Sequence, residues 1–458
     1  MTTTEYPSLI GSLRSAFESG KTRPLAWRRS QLQALIALCN ERESELAQAI
    51  YEDFKKPELE AVVTDVRVNI AEAEFALRHL EDWVRPTRAS APLALQPASG
   101  EVRSEPFGVA LILSPWNYPV QLALQPLVAA LAAGNCAVVK PSELTPATSA
   151  ALARLLPSYL DTDCVAVVEG GVPETTALLE QRFDKIFYTG NGAVARIVMA
   201  AAAKHLTPVS LELGGKSPVI LDGTLNMRLA ARRLVWGRFL NAGQTCVAPD
   251  YVLVAREHKS ALIDALRETI REFYGADPKQ SRDFARIVND RHFTRLAGLL
   301  EGHDPAVGGE RDADERYIAP TVLDDPSPDS PVMREEIFGP VLPVLAYDSL
   351  DEAIRFVNDR DAPLALYVFS KKRSVQQQVI DGTRSGGAVI NDTTVHLGCL
   401  DLPFGGAGES GMGAYHGHFG FEAFSRKRAV LDRATFVDPP LRYPPYSPTK
   451  LKWLKRLL

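Results

Sequence analysis

Lys185-Ile186-Phe187-Tyr188-Thr189-Gly190-Asn191-Gly192-Ala193-Val194-Ala195 is the stretch on which the fold turns. An apolar run at 185–188 meets a Gly-x-Gly-x-x-Ala turn, and a strongly helical run follows to about His205. Strand, glycine turn and helix in that order let a helix N-terminus offer backbone N–H groups to a phosphate. The rhythm extends in both directions. Apolar runs at 109–113, 137–139, 165–168 and 218–221 alternate with helical stretches, the signature of βαβ units in a parallel sheet covered by helices. A second α/β region runs from about 213 to 390, with helices over 226–241 and 259–273 and strands over 252–255 and 388–391.

Ahead of the first sheet, Leu32, Leu35, Ile36 and Cys39 recur at helical spacing, and Leu59, Val62, Val63, Val66 and Ile70 repeat the pattern. Two amphipathic helices are therefore expected to open the chain. From Arg85-Pro86 to Pro97 the composition turns to Pro, Ala and Leu without periodicity, which predicts an extended arm outside the core. The chain of 458 residues is 46% apolar, enough for two or three domains. Its 51 basic and 56 acidic residues leave a net charge of −5, which argues against nucleic acid or an anionic membrane as the main partner. Five cysteines, with no CxxC pair, predict free thiols and a reducing compartment. Neither a signal peptide nor an 18-residue apolar run is visible, so a cytoplasmic enzyme is expected.

The chemistry concentrates in a few segments. Leu211-Glu212-Leu213-Gly214-Gly215-Lys216-Ser217-Pro218 is followed by Gly243-Gln244-Thr245-Cys246. A lone thiol is ordinarily a small buried hydrophobe, but one set among backbone-exposing residues can act as a thiolate nucleophile. Ser114-Pro115-Trp116-Asn117-Tyr118-Pro119 and Lys140-Pro141-Ser142-Glu143 each leave the carboxyl end of an expected strand, where ligands meet a parallel sheet. Glu335-Glu336-Ile337-Phe338-Gly339-Pro340 reads alone as an acidic turn entering a strand, and Asn391 and the glycines of 403–411 read as structural. HExxH, GxSxG and Walker A motifs are missing, and His416-Gly417-His418 lacks co-ligands. Surface histidines, and no metal, are the expectation there.

Taken in order from about 105 to 425, these segments resemble the aldehyde dehydrogenase superfamily. The resemblance is to its class 3 branch in Ala201-Ala202-Ala203-Lys204-His205-Leu206-Thr207-Pro208, Val247-Ala248-Pro249-Asp250-Tyr251 and Arg442-Tyr443-Pro444-Pro445. It implies an α/β fold with a Rossmann-like parallel-sheet cofactor domain (1–84 and 106–211) and an α/β catalytic domain (212–390). A β-rich oligomerisation arm (85–105 and 391–435) and a tail (436–458) complete it. Cys246 would be the nucleophile, Glu212 the general base, and Asn117 with the Cys246 N–H the oxyanion donors. Cofactor contacts would come from Ser114, Trp116, Lys140, Ser142, Glu143, Gly190, Asn191, Gly192, Ala193, Val194, Ala195, Leu213, Gly214, Glu336 and Phe338. The cofactor expected is NAD, with NADP admissible, because Glu143 would repel a 2′-phosphate. Asn191 stands where many members carry Ser, a variation in phosphate binding. Class 3 members are typically dimers with a shorter N-terminus, acting on aromatic and medium-to-long aliphatic aldehydes. Two alternatives stay open: a CoA-acylating dehydrogenase, or a silent member with a binding role. The tail places Leu451, Leu454 and Leu458 at helical spacing among basic residues, and docking on the protein or its dimer partner is favoured over weak membrane contact.

Overall fold

The computed structural model describes residues 3–457. Its first six-stranded sheet runs in the order Gly411–Met412, Val209–Glu212, Lys185–Thr189, Val109–Leu113, Cys136–Lys140, Val165–Val167. Gly411–Met412 is antiparallel to its neighbour and the other five are parallel. Val109–Leu113, Cys136–Lys140 and Lys185–Thr189 are buried at every residue. That explains their continuous rather than alternating apolar pattern, since helices cover both faces. Val109–Leu113 comes first in the chain yet sits between Cys136–Lys140 and Lys185–Thr189. The winding reverses beside it, and the loops at 114–119 and 190–191 leave the carboxyl edge at this switch point, where such sheets bind ligands.

The second six-stranded sheet is wholly parallel: Thr321–Asp324, Val341–Tyr347, Tyr251–Ala255, Pro218–Leu221, Ala365–Phe369, Gly387–Ile390. A third, antiparallel sheet joins Thr87–Ala89, Ala98–Pro106 and Ser425–Arg433, with Ser425 opposite Pro106 and Arg433 opposite Ala98. Most of Ser425–Arg433 is exposed. Packed between the first sheet and the helices Leu25–Glu41, Arg67–Val84 and Gly417–Ala423, the helix Gln121–Ala133 is buried on every side, as its apolar composition requires.

The opening of the chain departs from expectation. Helices Tyr6–Glu18 and Glu43–Phe54 accompany the expected Leu25–Glu41. The second periodic segment is broken into Glu58–Ala61, a π-helical turn Val62–Val66, and Arg67–Val84. The wide turn inserts a residue and shifts the helical phase. Leu59 and Val63 consequently face out, at 76% and 53% exposure, while Val66 and Ile70 are buried and Asp65 turns inward. His416 is also not a surface residue: it is buried, and its Nδ1 lies 3.1 Å from Glu72 Oε2. Only His418 of that pair is exposed. In the tail, the helix Pro448–Leu457 leaves Leu451 and Trp453 half exposed; Leu458 lies outside the described residues. Among the described residues, no helix is long and apolar enough to cross a membrane.

Candidate active site

Cys246 follows a tight turn, Leu240–Gly243, in which Asn241, Ala242 and Gly243 all have left-handed backbones (φ 55°, 51° and 75°). Two of these are not glycine, and such a run persists only where surrounding contacts hold it. Asn241 N–H donates to Glu60 Oε2 (3.0 Å), and Asn241 Nδ2 donates to the carbonyls of Asn117 (2.8 Å) and Gln244 (3.2 Å). Gln244 Nε2 donates to Asn241 O and Arg286 O, while its Oε1 accepts Val288 N–H, all at 3.0 Å. Gly243 is obligatory, because a Cβ there would lie 2.3 Å from Gly339 O. This close approach brings the Glu336 segment against the cysteine turn.

Three groups converge on the half-buried thiol. Asn117 is buried, and its Nδ2 donates to Gln244 O at 3.0 Å, leaving the second amide hydrogen free. Glu212 ends the strand Val209–Glu212 and is buried, and neither carboxyl oxygen has a hydrogen-bond partner among the described residues. Burial with no compensating donor pushes its pKa well above the usual carboxylate range. The Cys246 thiol is pushed up to about 12 by burial, with Glu336 and Glu212 adding to the shift.

Glu336 occupies the space of a missing side chain: a Cβ on Gly214 would meet Glu336 Oε2 at 2.2 Å. Burial, reinforced by Asp250, raises its carboxyl to about 8 against the opposing influence of the Gly215 N–H, Lys216 and Arg295. Leu213 is pinned by its N–H to Ser410 O (3.1 Å). Phe338 has φ 51°. Its ring meets Trp116 edge-on at 5.4 Å, and Trp116 also packs on His292 at 5.0 Å.

The remaining cofactor candidates line the switch point. Ser114 N–H donates to Lys140 O (3.1 Å), Ser142 Oγ accepts Leu144 N–H (3.2 Å), and Lys140 Nζ pairs with Glu143 Oε2 at 3.0 Å. Asn191 is the N-cap of the helix Gly192–Ala203: its Oδ1 accepts Val194 N–H at 3.0 Å and its carbonyl accepts Ala195 N–H. The Val194 and Ala195 amides are thereby engaged. Gly192 and Ala193 are left as the first-turn donors without intrahelical acceptors.

Sequence reading missed the buried ionic web that joins these loops. Asp250 Oδ2 pairs with Lys216 Nζ, while Oδ1 accepts Ile337 N–H (3.0 Å) and lies 3.5 Å from Arg238 NH1. Lys216 also donates to Val332 O (2.9 Å) and Glu335 O (2.8 Å), and Arg238 to Pro249 O (3.0 Å) and Gly339 O. Arg295 NH2 holds Ile337 O at 2.6 Å. Lys216 and Asp250 stand inside quoted motifs, but their meeting is long-range and leaves no local signature. Asn391 is structural: its side chain exchanges hydrogen bonds with Ser370 O and N–H at the ends of two strands (2.9 and 2.8 Å).

A profile of the aldehyde dehydrogenase family matches residues 1–430. Mouse aldehyde dehydrogenase family 3 member A2 is 50% identical over 97% of this chain and 93% of its own. The mouse protein named "Aldehyde dehydrogenase, dimeric NADP-preferring" is 48% identical over 97% and 98%. A substrate-bound structure of Staphylococcus aureus AldH superposes with a TM-score of 0.95 at 43% identity, covering 98% of this chain and 99% of the other. With a cysteine turn, a buried carboxyl and a switch-point cleft at one edge of its sheets, the chain belongs to the aldehyde dehydrogenase family.

Proposed function

We propose that this protein oxidises an aromatic or medium-to-long-chain aliphatic aldehyde to its carboxylic acid, with Cys246 carrying the acyl group. The observation that carries this reading is the convergence of Cys246, Asn117 and an unpartnered Glu212 beside a built dinucleotide cleft. The residues at the switch point fit the group in three ways: Gly192 and Ala193 offer free amides that would receive a phosphate, Gly214 leaves room for the Glu336 carboxyl, and the half-exposed Glu143 carboxyl, paired with Lys140, would accept ribose hydroxyls. When bound, an oxidised nicotinamide dinucleotide supplies a hydride acceptor and a positive charge. The Cys246 thiol passes its proton to solvent water as Sγ bonds to the carbonyl carbon and the C=O π electrons move onto the oxygen. Asn117 Nδ2 and the Cys246 N–H then donate to the new oxyanion. Loss of hydride from that carbon restores the C=O bond and leaves a thioester. Glu212 takes a proton from water, the water oxygen bonds to the acyl carbon, and the C–S bond breaks to return the thiolate.

Glu212 supports water rather than CoA as the acyl acceptor, and the intact trio argues against a silent member. We further propose NAD as the preferred coenzyme, a homodimer, and a cytoplasmic location. The test is NADH formation across aldehydes graded in chain length and ring content, scored by kcat/KM, beside Cys246→Ala. Turnover by the native protein and none by Cys246→Ala, with coenzyme binding retained, is expected. Comparable turnover by the variant refutes the covalent mechanism.

A further inference from the structure

The Asn117 loop is anchored from below by charges that the mechanism does not use. Lys56 and Asp65 are both fully buried and pair at 2.6 Å, Asp65 being carried inward by the π turn Val62–Val66. Asp65 Oδ1 accepts the N–H groups of Val120 and Gln121 (3.2 and 3.3 Å), which fixes the exit of the loop. The Lys56 ammonium lies 3.8 Å from the centroid of the buried Tyr118 ring, a desolvated cation–π contact. At the other end of that ring, the Tyr118 hydroxyl and Thr245 Oγ1 are 2.6 Å apart. Tyr118 adjoins Asn117 and Thr245 adjoins Cys246, so this hydrogen bond acts with those from Asn117 Nδ2 to Gln244 O and from Asn241 Nδ2 to Asn117 O in tying together the two loops that carry the oxyanion donors.

We propose that Tyr118 and Thr245, seated on the Lys56–Asp65 pair, form a positioning clamp that sets the Asn117 amide against the Cys246 N–H. The proposal rests on those two groups being the oxyanion donors. Oxyanion stabilisation falls steeply when a donor is misplaced, whereas neither Tyr118 nor Thr245 is among the residues assigned to the coenzyme. Tyr118→Phe removes the hydroxyl but keeps the ring over Lys56, and Thr245→Val removes the other partner; either serves if one fails to fold.

The test is single-turnover NADH formation at saturating coenzyme and aldehyde for Tyr118→Phe, Thr245→Val, the double variant and Thr245→Ser. Each single variant is expected to slow acylation about tenfold, about the worth of one hydrogen bond. The double should be no slower than either single, because both remove the same bond. Thr245→Ser should restore most of the rate, and coenzyme affinity should stay at the native value throughout. A native rate for Tyr118→Phe, multiplicative losses in the double, or loss confined to coenzyme affinity overturns the clamp alone. A native enzyme that shows no burst and no acylated Cys246 overturns the donor assignment as well.

Discussion

Replacing Glu336 by Gln should change how stability responds to pH, by an amount the structure sets. The Glu336 carboxyl is raised from 4.5 to about 8 in the folded protein, chiefly by burial. The folded state therefore binds its proton more tightly than the unfolded chain does. Its contribution to stability is complete below the unfolded value and is lost as pH rises through about 8. For an unscreened group the loss between about pH 5 and about pH 9 is about 4 kcal/mol. Glu336 is only partly buried by surface area, and solvent in the cleft screens the charge, so ~2 kcal/mol is the expected figure. Urea denaturation of the native protein and Glu336→Gln at both pH values isolates this group by difference. The variant should gain ~2 kcal/mol over the native protein from low to high pH. Because an ionised carboxylate is the better acceptor for ribose hydroxyls, native coenzyme affinity should also rise over that window and the variant's should not. A stability difference that stays flat with pH refutes the reasoning that burial outweighs the Gly215 N–H, Lys216 and Arg295 at this carboxyl.

Coenzyme choice should follow Glu143, whose side chain is 44% exposed and already paired with Lys140. The native enzyme is expected to favour NAD by kcat/KM, and Glu143→Gln to shift the ratio toward NADP by about fivefold, since solvent and Lys140 weaken the repulsion of a 2′-phosphate. Equal or better native use of NADP, or an unchanged ratio in the variant, contradicts this. The tail helix Pro448–Leu457 keeps Leu451 and Trp453 half exposed beside Lys450, Lys452, Lys455 and Arg456. Sedimentation with anionic liposomes should nevertheless leave the native protein in the supernatant. Binding that disappears on deleting 450–458 would instead assign the tail to a lipid surface.

The sheets were legible because doubly covered strands must be apolar at every position. Val109–Leu113 and Pro218–Leu221 stand out between Gly, Pro and polar neighbours for that reason. The helical opening was less legible. A π turn at Val62–Val66 preserves the composition of an amphipathic helix while shifting its phase, so Leu59 and Val63 looked like core residues and are not. At the site, Cys246 and Glu212 stand out as candidates because small residues around them admit a close backbone approach, whereas Asn117 and Glu336 are singled out through the family resemblance of their motifs. What holds them was not readable. Asp250 meets Lys216 and Arg238 only after folding, as Lys56 meets the Tyr118 ring and the Tyr118 hydroxyl meets Thr245. The left-handed backbones of Asn241, Ala242 and Phe338 run against local preference and are imposed by that packing.

The division of labour between Cys246 and Glu212 is the centre of the account, and Glu212→Gln separates the two halves of the reaction. Gln is isosteric and carries no charge to bury, so the fold and the first half-reaction should survive the change. Mixed with aldehyde and NAD, the variant should release a burst of NADH close to one equivalent per active site and then nearly stop. Mass spectrometry of the stalled protein should find the acyl group on the peptide carrying Cys246. A variant that turns over at the native steady rate, or that shows neither burst nor acylated Cys246, contradicts the assignment of Glu212 as the base for thioester hydrolysis.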